Sequence, residues 1–190
     1  DFGASWSTNE PVSHILATRL GPSMTVLVPL LVLETIVAIA LALAVAYVRG
    51  SLTDRMVMII CTVGLSISIL VYIIVFQYVF AYKLGWFPVQ GWGDSFWENL
   101  FRYASLPILI GLAVGIAPSL RLYRTFVLDE INQDYVRTAR AKGLSENRIM
   151  WVHVLRNASI PIITTIMASL PGLLIGAFLM ARAATPPMVA

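Results

Sequence analysis

Four apolar runs, Met24 to Val48, Met56 to Tyr82, Tyr103 to Tyr123 and Ala158 to Met180, dominate this sequence. Each reaches the roughly 20 apolar residues that carry a helix through a hydrocarbon core. Inside lipid every backbone amide has to be satisfied within its own segment, so runs of this length leave a bundle of membrane-spanning helices as the fold. The composition agrees: 58% of the 190 residues are hydrophobic and 12% are charged, against about a quarter charged in soluble domains. The expected fold class is all-α, a polytopic transmembrane helical bundle with four spans and a cytoplasmic helix-turn-helix.

The basic residues orient the bundle. Arg49, Arg55, Arg121, Arg124, Arg137, Arg140, Lys142, Arg148 and Arg156 fall on one side, and Arg19, Lys83, Arg102 and Arg182 on the other. Nine against four puts the first group in the cytoplasm and the N-terminal segment outside. The loop KLGWFPVQGWGDSFWENLFR, rich in Trp, Gly and Pro, is external too and reads as an interfacial loop or short helix. The second run is longer than a span needs, and its aromatic end, from Phe76 to Phe87, forms an interfacial belt. A formal charge of +3 is too small to indicate nucleic-acid binding.

The cytoplasmic segment from Asp134 to Pro161, DYVRTARAKGLSENRIMWVHVLRNASIP, carries a pattern that a plain connecting loop does not need. Ile131, Tyr135 and Ala139 recur at helical spacing while Arg137, Arg140 and Lys142 project elsewhere. Gly143 offers the left-handed conformation that ends one helix. Ser145, with Glu146 in the first turn, is placed to start the next. The expected product is a helix-turn-helix facing water, a docking knob near Val136 to Arg148. The alternative is an interfacial helix resting on anionic lipid, which has no use for a break at its middle.

Catalytic and metal-binding patterns are missing. Lys83 and Lys142 are the only lysines, and neither follows the glycine spacing of a phosphate-binding loop. His14 and His153 have no acidic or cysteine partners at metal-ligand spacing, and no nucleophile stands beside a base. The single Cys61 lies in an apolar run as buried filler. Glu34 is a lone carboxylate inside a span, costing about 2.5–3.5 kcal/mol on insertion scales. It is either a pathway residue or, preferably, a packing residue hydrogen-bonded to a neighbouring helix. Ser66, Ser68 and Gln77, with Ser169 and Gly176, either pack helices closely or line a polar pathway. Pro29, Pro107, Pro118, Pro161 and Pro171 mark kinks, whose freed carbonyls neighbouring helices or water satisfy.

The stretch YVRTARAKGLSENRIMWVHVLRNASIP resembles the cytoplasmic loop of binding-protein-dependent ABC importer permeases of the peptide and nickel branch. The broader superfamily motif is E-A-A, three residues, Gly, nine residues, then I-x-L-P. Counted from Gly143, it falls on Arg137, Thr138 and Ala139, and on His153, Leu155 and Arg156. Only Ala139, Gly143 and Leu155 fit it, whereas RTARAKGL followed by HVLRNASIP is similar to the peptide-branch form throughout. DFGASWSTNEPVSHILATRLGPSMT and LGWFPVQGW are similar to external segments of the same permeases. The sequence departs from that pattern at Ser68, where a proline is expected, and after Met180, where ARAATPPMVA replaces a Glu and a Pro-Gly-x-Gly stretch.

The resemblance implies a permease domain over residues 1–180, with 181–190 an atypical tail, in a bacterial or archaeal cytoplasmic membrane. Members typically have six spans, so the chain is expected to be a fragment lacking the first and last. The implied partners are a second permease subunit, two cytoplasmic ATPase subunits, an external substrate-binding protein and membrane lipid, without nucleic acid. The chain itself needs no cofactor and is no enzyme, since ATP sits on the ATPase partners. Arg137, Thr138, Ala139, Arg140, Ala141, Lys142, Gly143 and Leu144 form the implied ATPase-coupling segment. Ala139 and Gly143 permit close approach there, and Arg137, Arg140 and Lys142 offer contacts to acidic residues of the ATPase. Di- or oligopeptides are the expected substrate. Nickel or another small solute is the alternative within the branch, and a non-transporting scaffold the alternative outside it.

Overall fold

The computed structural model describes residues 12–88, 91, 93 and 95–183, with side chains placed between 21 and 172. Much of the expected external N-terminal segment and the end of the tail, with Pro186 and Pro187, lie outside the described residues. The elements are α1 (Val12–Tyr47), α2 (Leu52–Ser66), α3 (Ile69–Phe76), α4 (Phe96–Glu98), α5 (Ser105–Ile131), α6 (Asp134–Ala141), α7 (Glu146–Arg148) and α8 (Leu155–Ala183). Wider, π-type turns at Gln77–Lys83, Asn99–Tyr103 and Ile149–Val154 prolong α3, α4 and α7. Among the described residues the chain is helical and contains no strand.

Three of the four expected spans are longer helices than their apolar runs. The first begins at Val12 instead of Met24, the third continues to Ile131 instead of Tyr123, and the last starts at Glu146 instead of Ala158. Charged residues such as Arg19, Arg121, Arg124 and Arg156 end the apolar runs, but Arg is a good helix former and does not end the helices. Hydropathy marks the part of a helix that lipid accepts, not the end of the helix.

The second span is not one straight helix. Ile67 (φ −86°, ψ 129°) and Ser68 (φ −61°, ψ 141°) are extended, and α2 and α3 meet at 92°. The Ser68 hydroxyl accepts from the Leu70 amide at 3.4 Å as the N-cap of α3. Across the bend the Tyr72 hydroxyl donates to the Gly64 carbonyl at 3.2 Å. The first contact satisfies an amide that the start of a helix leaves without a partner, and the second adds to that of the Ile67 amide, which also donates to the Gly64 carbonyl at 3.3 Å. Three described helices are thus long and apolar enough to cross a membrane, and the bent pair supplies up to a fourth.

Helices α1 and α5 form the most extensive pair. Their contact is a stripe of small residues. A Cβ on Gly111 would lie 2.5 Å from the Leu30 side chain, and one on Gly115 2.6 Å from the Glu34 carboxyl carbon, so the two glycines leave on α5 the room that these α1 side chains fill. Ala38, Ala42 and Ala46 continue the stripe along α1 and are buried. The main core follows at that end of the bundle: Leu120, Tyr123, Val127 and Ile131 of α5 pack with Val136 and Ala139 of α6, with Ile149, Met150 and Val154, and with Ala158 and Ile162 of α8. A smaller cluster of Ala81, Leu106 and Ile110 fixes the α3 extension against α5. Leu52, Ile60, Leu70, Ile74 and Ile160 face outward, which suits a lipid surround.

Candidate functional site

Short α6 is built to expose one face and bury the other. Asp134 in its first turn complements the positive end of the helix dipole. Val136 and Ala139 are buried, and Tyr135 is half-buried against the core. Arg137, Thr138, Arg140, Ala141 and Lys142 are exposed. Ile131, which shares their spacing, belongs to α5, because Asn132 and Gln133 break the helix between them.

Helix α6 ends in a Schellman turn. The Gly143 amide donates to the Arg140 carbonyl at 2.9 Å, and the Leu144 amide reaches back to the Ala139 carbonyl at 3.2 Å. Gly143 sits between them at φ +75°, in the left-handed region that costs a side-chain-bearing residue about 1–2 kcal/mol. Half-buried Leu144 packs on the core beside Ala139, the apolar contact that usually accompanies this turn. Ser145 stands at the N-cap in extended conformation (φ −64°, ψ 145°), but its hydroxyl caps nothing. Arg140 closes the turn instead, donating from Nε to Glu146 Oε1 at 2.7 Å and from Nη2 to Oε2 at 3.1 Å. These hydrogen bonds raise the Arg140 pKa above its ordinary value.

The second half of the expected helix-turn-helix is therefore not a separate helix. From Glu146 the chain runs through α7 and its π-type extension straight into α8. The knob is a hook: α6, a tight turn, and the foot of the last span. A further tie comes from Tyr135, whose hydroxyl donates to Glu130 Oε2 at the end of α5 at 2.7 Å. Burial raises the Tyr135 pKa, a hydrogen bond with Asn157 of α8 opposes that rise, and Glu130 adds to it. Among the coupling candidates Arg137 pairs with Asp134 at 3.3 Å, both well exposed, and Arg140 is engaged within the hook. Lys142 has no ion pair among the described residues.

The other candidates are not brought together. Glu34, half-buried, accepts a 2.6 Å hydrogen bond from Ser119 of α5 into Oε1. Ser66 donates to the Thr62 carbonyl at 3.0 Å, Ser68 caps α3, and Gln77 is exposed where the π-type turn begins. No hydrogen bond among the described residues joins any of the four to another. Two features went unnoticed in the sequence. One is the Gly111, Gly115, Ser119 stripe, whose four-residue spacing was a readable signal. The other is a buried pair between Asp54 and Arg124 at 2.8 Å, for which a single sequence offers no long-range signal.

The family model for the inner membrane component of binding-protein-dependent transport systems matches residues 20–188. The chain belongs to this family. It is thus a multi-pass membrane protein of the inner membrane. A protein named as a peptide permease in Brucella suis is 34% identical over 173 residues, 88% of this chain and 54% of that relative. The glutathione transport system permease protein of Salmonella typhimurium is 33% identical over 164 residues, 86% of this chain and 52% of its own length. A relative in Sinorhizobium fredii, named for a peptide ABC transporter, is 33% identical over 171 residues, 87% of this chain and 54% of that protein. The chain spans about half the length of these curated relatives.

Proposed function

We propose that this chain supplies spans of the permease subunit of an ABC importer for di- or oligopeptides, and that the α6 hook receives the movement of a cytoplasmic ATPase. The observation that carries this reading is how α6 is attached. Its inner face is packed into the core shared with α5 and α8, and the RTARAKGL segment is presented outward. An element fixed to two spans in this way passes a rigid-body displacement into the bundle. A lipid-lying helix needs neither the Schellman turn nor the Arg140–Glu146 closure.

In this reading ATP is bound and hydrolysed by two partner subunits, a second permease subunit completes the pathway, and an external protein delivers the substrate. The names of the relatives favour peptides over nickel, since glutathione is itself a tripeptide derivative. The test is uptake into proteoliposomes holding the assembled transporter, with trialanine, glutathione and Ni²⁺ as alternatives. ATP-dependent accumulation of a peptide is expected. Accumulation of Ni²⁺ alone would move the assignment to small solutes, and ATPase binding without uptake of any of the three would support a scaffold.

A further inference from the structure

The turn between α1 and α2 is joined to the far end of α5 at two points. Arg49 Nη1 donates to Asn132 Oδ1 at 3.1 Å, at the elbow that leads into α6. Further back on α5, Arg124 Nη2 donates to Asp54 Oδ2 at 2.8 Å. The second contact is buried, with 8% of the Asp54 side chain and 19% of the Arg124 side chain exposed. The turn fixes the carboxylate from its own side: Oδ2 also accepts the Gly50 amide at 2.9 Å, and the Asp54 amide donates to Ser51 Oγ at 3.2 Å.

Along α2, Leu52, Met56, Ile59, Ile60 and Val63 face outward, leaving buried Cys61 and half-buried Val57 and Met58 against the core. A buried ion pair is a poor way to increase stability, because desolvating both charges offsets most of their attraction. This pair also stops at one hydrogen bond where an Arg–carboxylate fork allows two. Asp54 Oδ1 and Arg124 Nε are buried without a hydrogen-bond partner. The pair thus leaves one oxygen of the carboxylate and one nitrogen of the guanidinium free for a second hydrogen bond.

We infer that Asp54 and Arg124 are positioning residues that pass the displacement of α5 to the broken span α2–α3. Arg124 lies on α5 within the helix that α6 drives, and Asp54 lies at the root of α2. Beyond the 92° bend, α3 and its extension form the other arm of the lever, packed on α5 through Leu106 and Ile110. The inference rests on the coupling reading of α6. It assigns a link that carries motion from the hook to the broken span.

The test uses the assembled transporter in proteoliposomes, with trialanine or glutathione as the transported probe. Asp54→Asn and Arg124→Gln should each keep assembly and ATP hydrolysis while peptide taken up per ATP falls by roughly 5- to 150-fold, the range of ordinary coupling energies. Labelling of Cys61 by N-ethylmaleimide should rise as α2 loosens, and the exchange Asp54→Arg with Arg124→Asp should recover part of the coupling. Normal uptake per ATP in the single variants would overturn the inference. Should the singles not assemble, the double variant Asp54→Asn with Arg124→Gln decides. Assembled and uncoupled, it supports the link; coupled, or again unassembled, it reduces the pair to a folding requirement and overturns it. Gly143→Val run in parallel separates the two readings: if it uncouples and the Asp54 and Arg124 variants do not, only the lever is lost.

Discussion

Arg140 holds Glu146 across the Gly143 turn through two hydrogen bonds, at 2.7 Å and 3.1 Å, so the side chain expected to reach a partner is turned back onto its own hook. Both groups are more than a third exposed, and solvent screening limits such a pair to under about 1 kcal/mol. Its consequence is orientation of α6. Arg140→Ala and Glu146→Ala should lower coupling equally, and the double variant should be no worse than either, as a double-mutant cycle of ATPase stimulation will show. A much larger loss for Arg140→Ala alone would mean that the guanidinium reaches the ATPase.

Gly143 has no atom within 4 Å of the position a Cβ would take, so its constraint is the backbone at φ +75°. Gly143→Val should strain the turn by about 1–2 kcal/mol. Gly143→Asn, which tolerates the left-handed region, should be milder. The expected order of substrate-stimulated ATP hydrolysis is Gly, then Asn, then Val, with membrane insertion unchanged in all three. Equal hydrolysis for Val and Gly would separate the turn from coupling.

Glu34 meets α5 at Gly115 and Ser119, which places it in a helix contact. Gly115→Leu should cost about 1–3 kcal/mol by overpacking and lower the melting temperature of the purified protein in detergent. Glu34→Gln keeps an acceptor for Ser119 and should leave both melting and peptide uptake near normal. Loss of uptake with normal melting would return Glu34 to the pathway.

Topology is open to labelling. In a Cys61→Ala background, Trp97→Cys and Lys142→Cys, both at exposed positions, should react with an impermeant maleimide from opposite sides of the membrane. Reaction from one side would contradict the orientation taken from the basic residues. Gly91 is a poor site for this purpose, because a Cβ there would collide with the Tyr103 ring.

How far the sequence reaches is clear from particular residues. The spans were legible because lipid demands long apolar runs, and the turn at Gly143 because few residues accept its backbone. Ser68 was visible as an anomaly, but its meaning, the second of two extended residues and the cap of α3 at a 92° bend, depends on Tyr72 reaching back to Gly64. Ser145 and Glu146 mark a helix start and nothing marks an end, so the fusion of α7 with α8 was hidden. Asp54 with Arg124 and Glu34 with Ser119 are 70 and 85 residues apart, and no local pattern links such partners.

The most direct measurement is site-specific cross-linking from the outer face of the hook. A photoreactive residue at Thr138 or Lys142, both exposed, is introduced into the assembled transporter, illuminated with and without ATP, and its adducts are identified by mass spectrometry. The expected result is a covalent product with the ATPase subunit from both positions, changing in yield with nucleotide, and none from a control at Trp97. Adducts with lipid alone, from both positions and in both nucleotide states, would contradict the docking role and leave α6 as an interfacial helix.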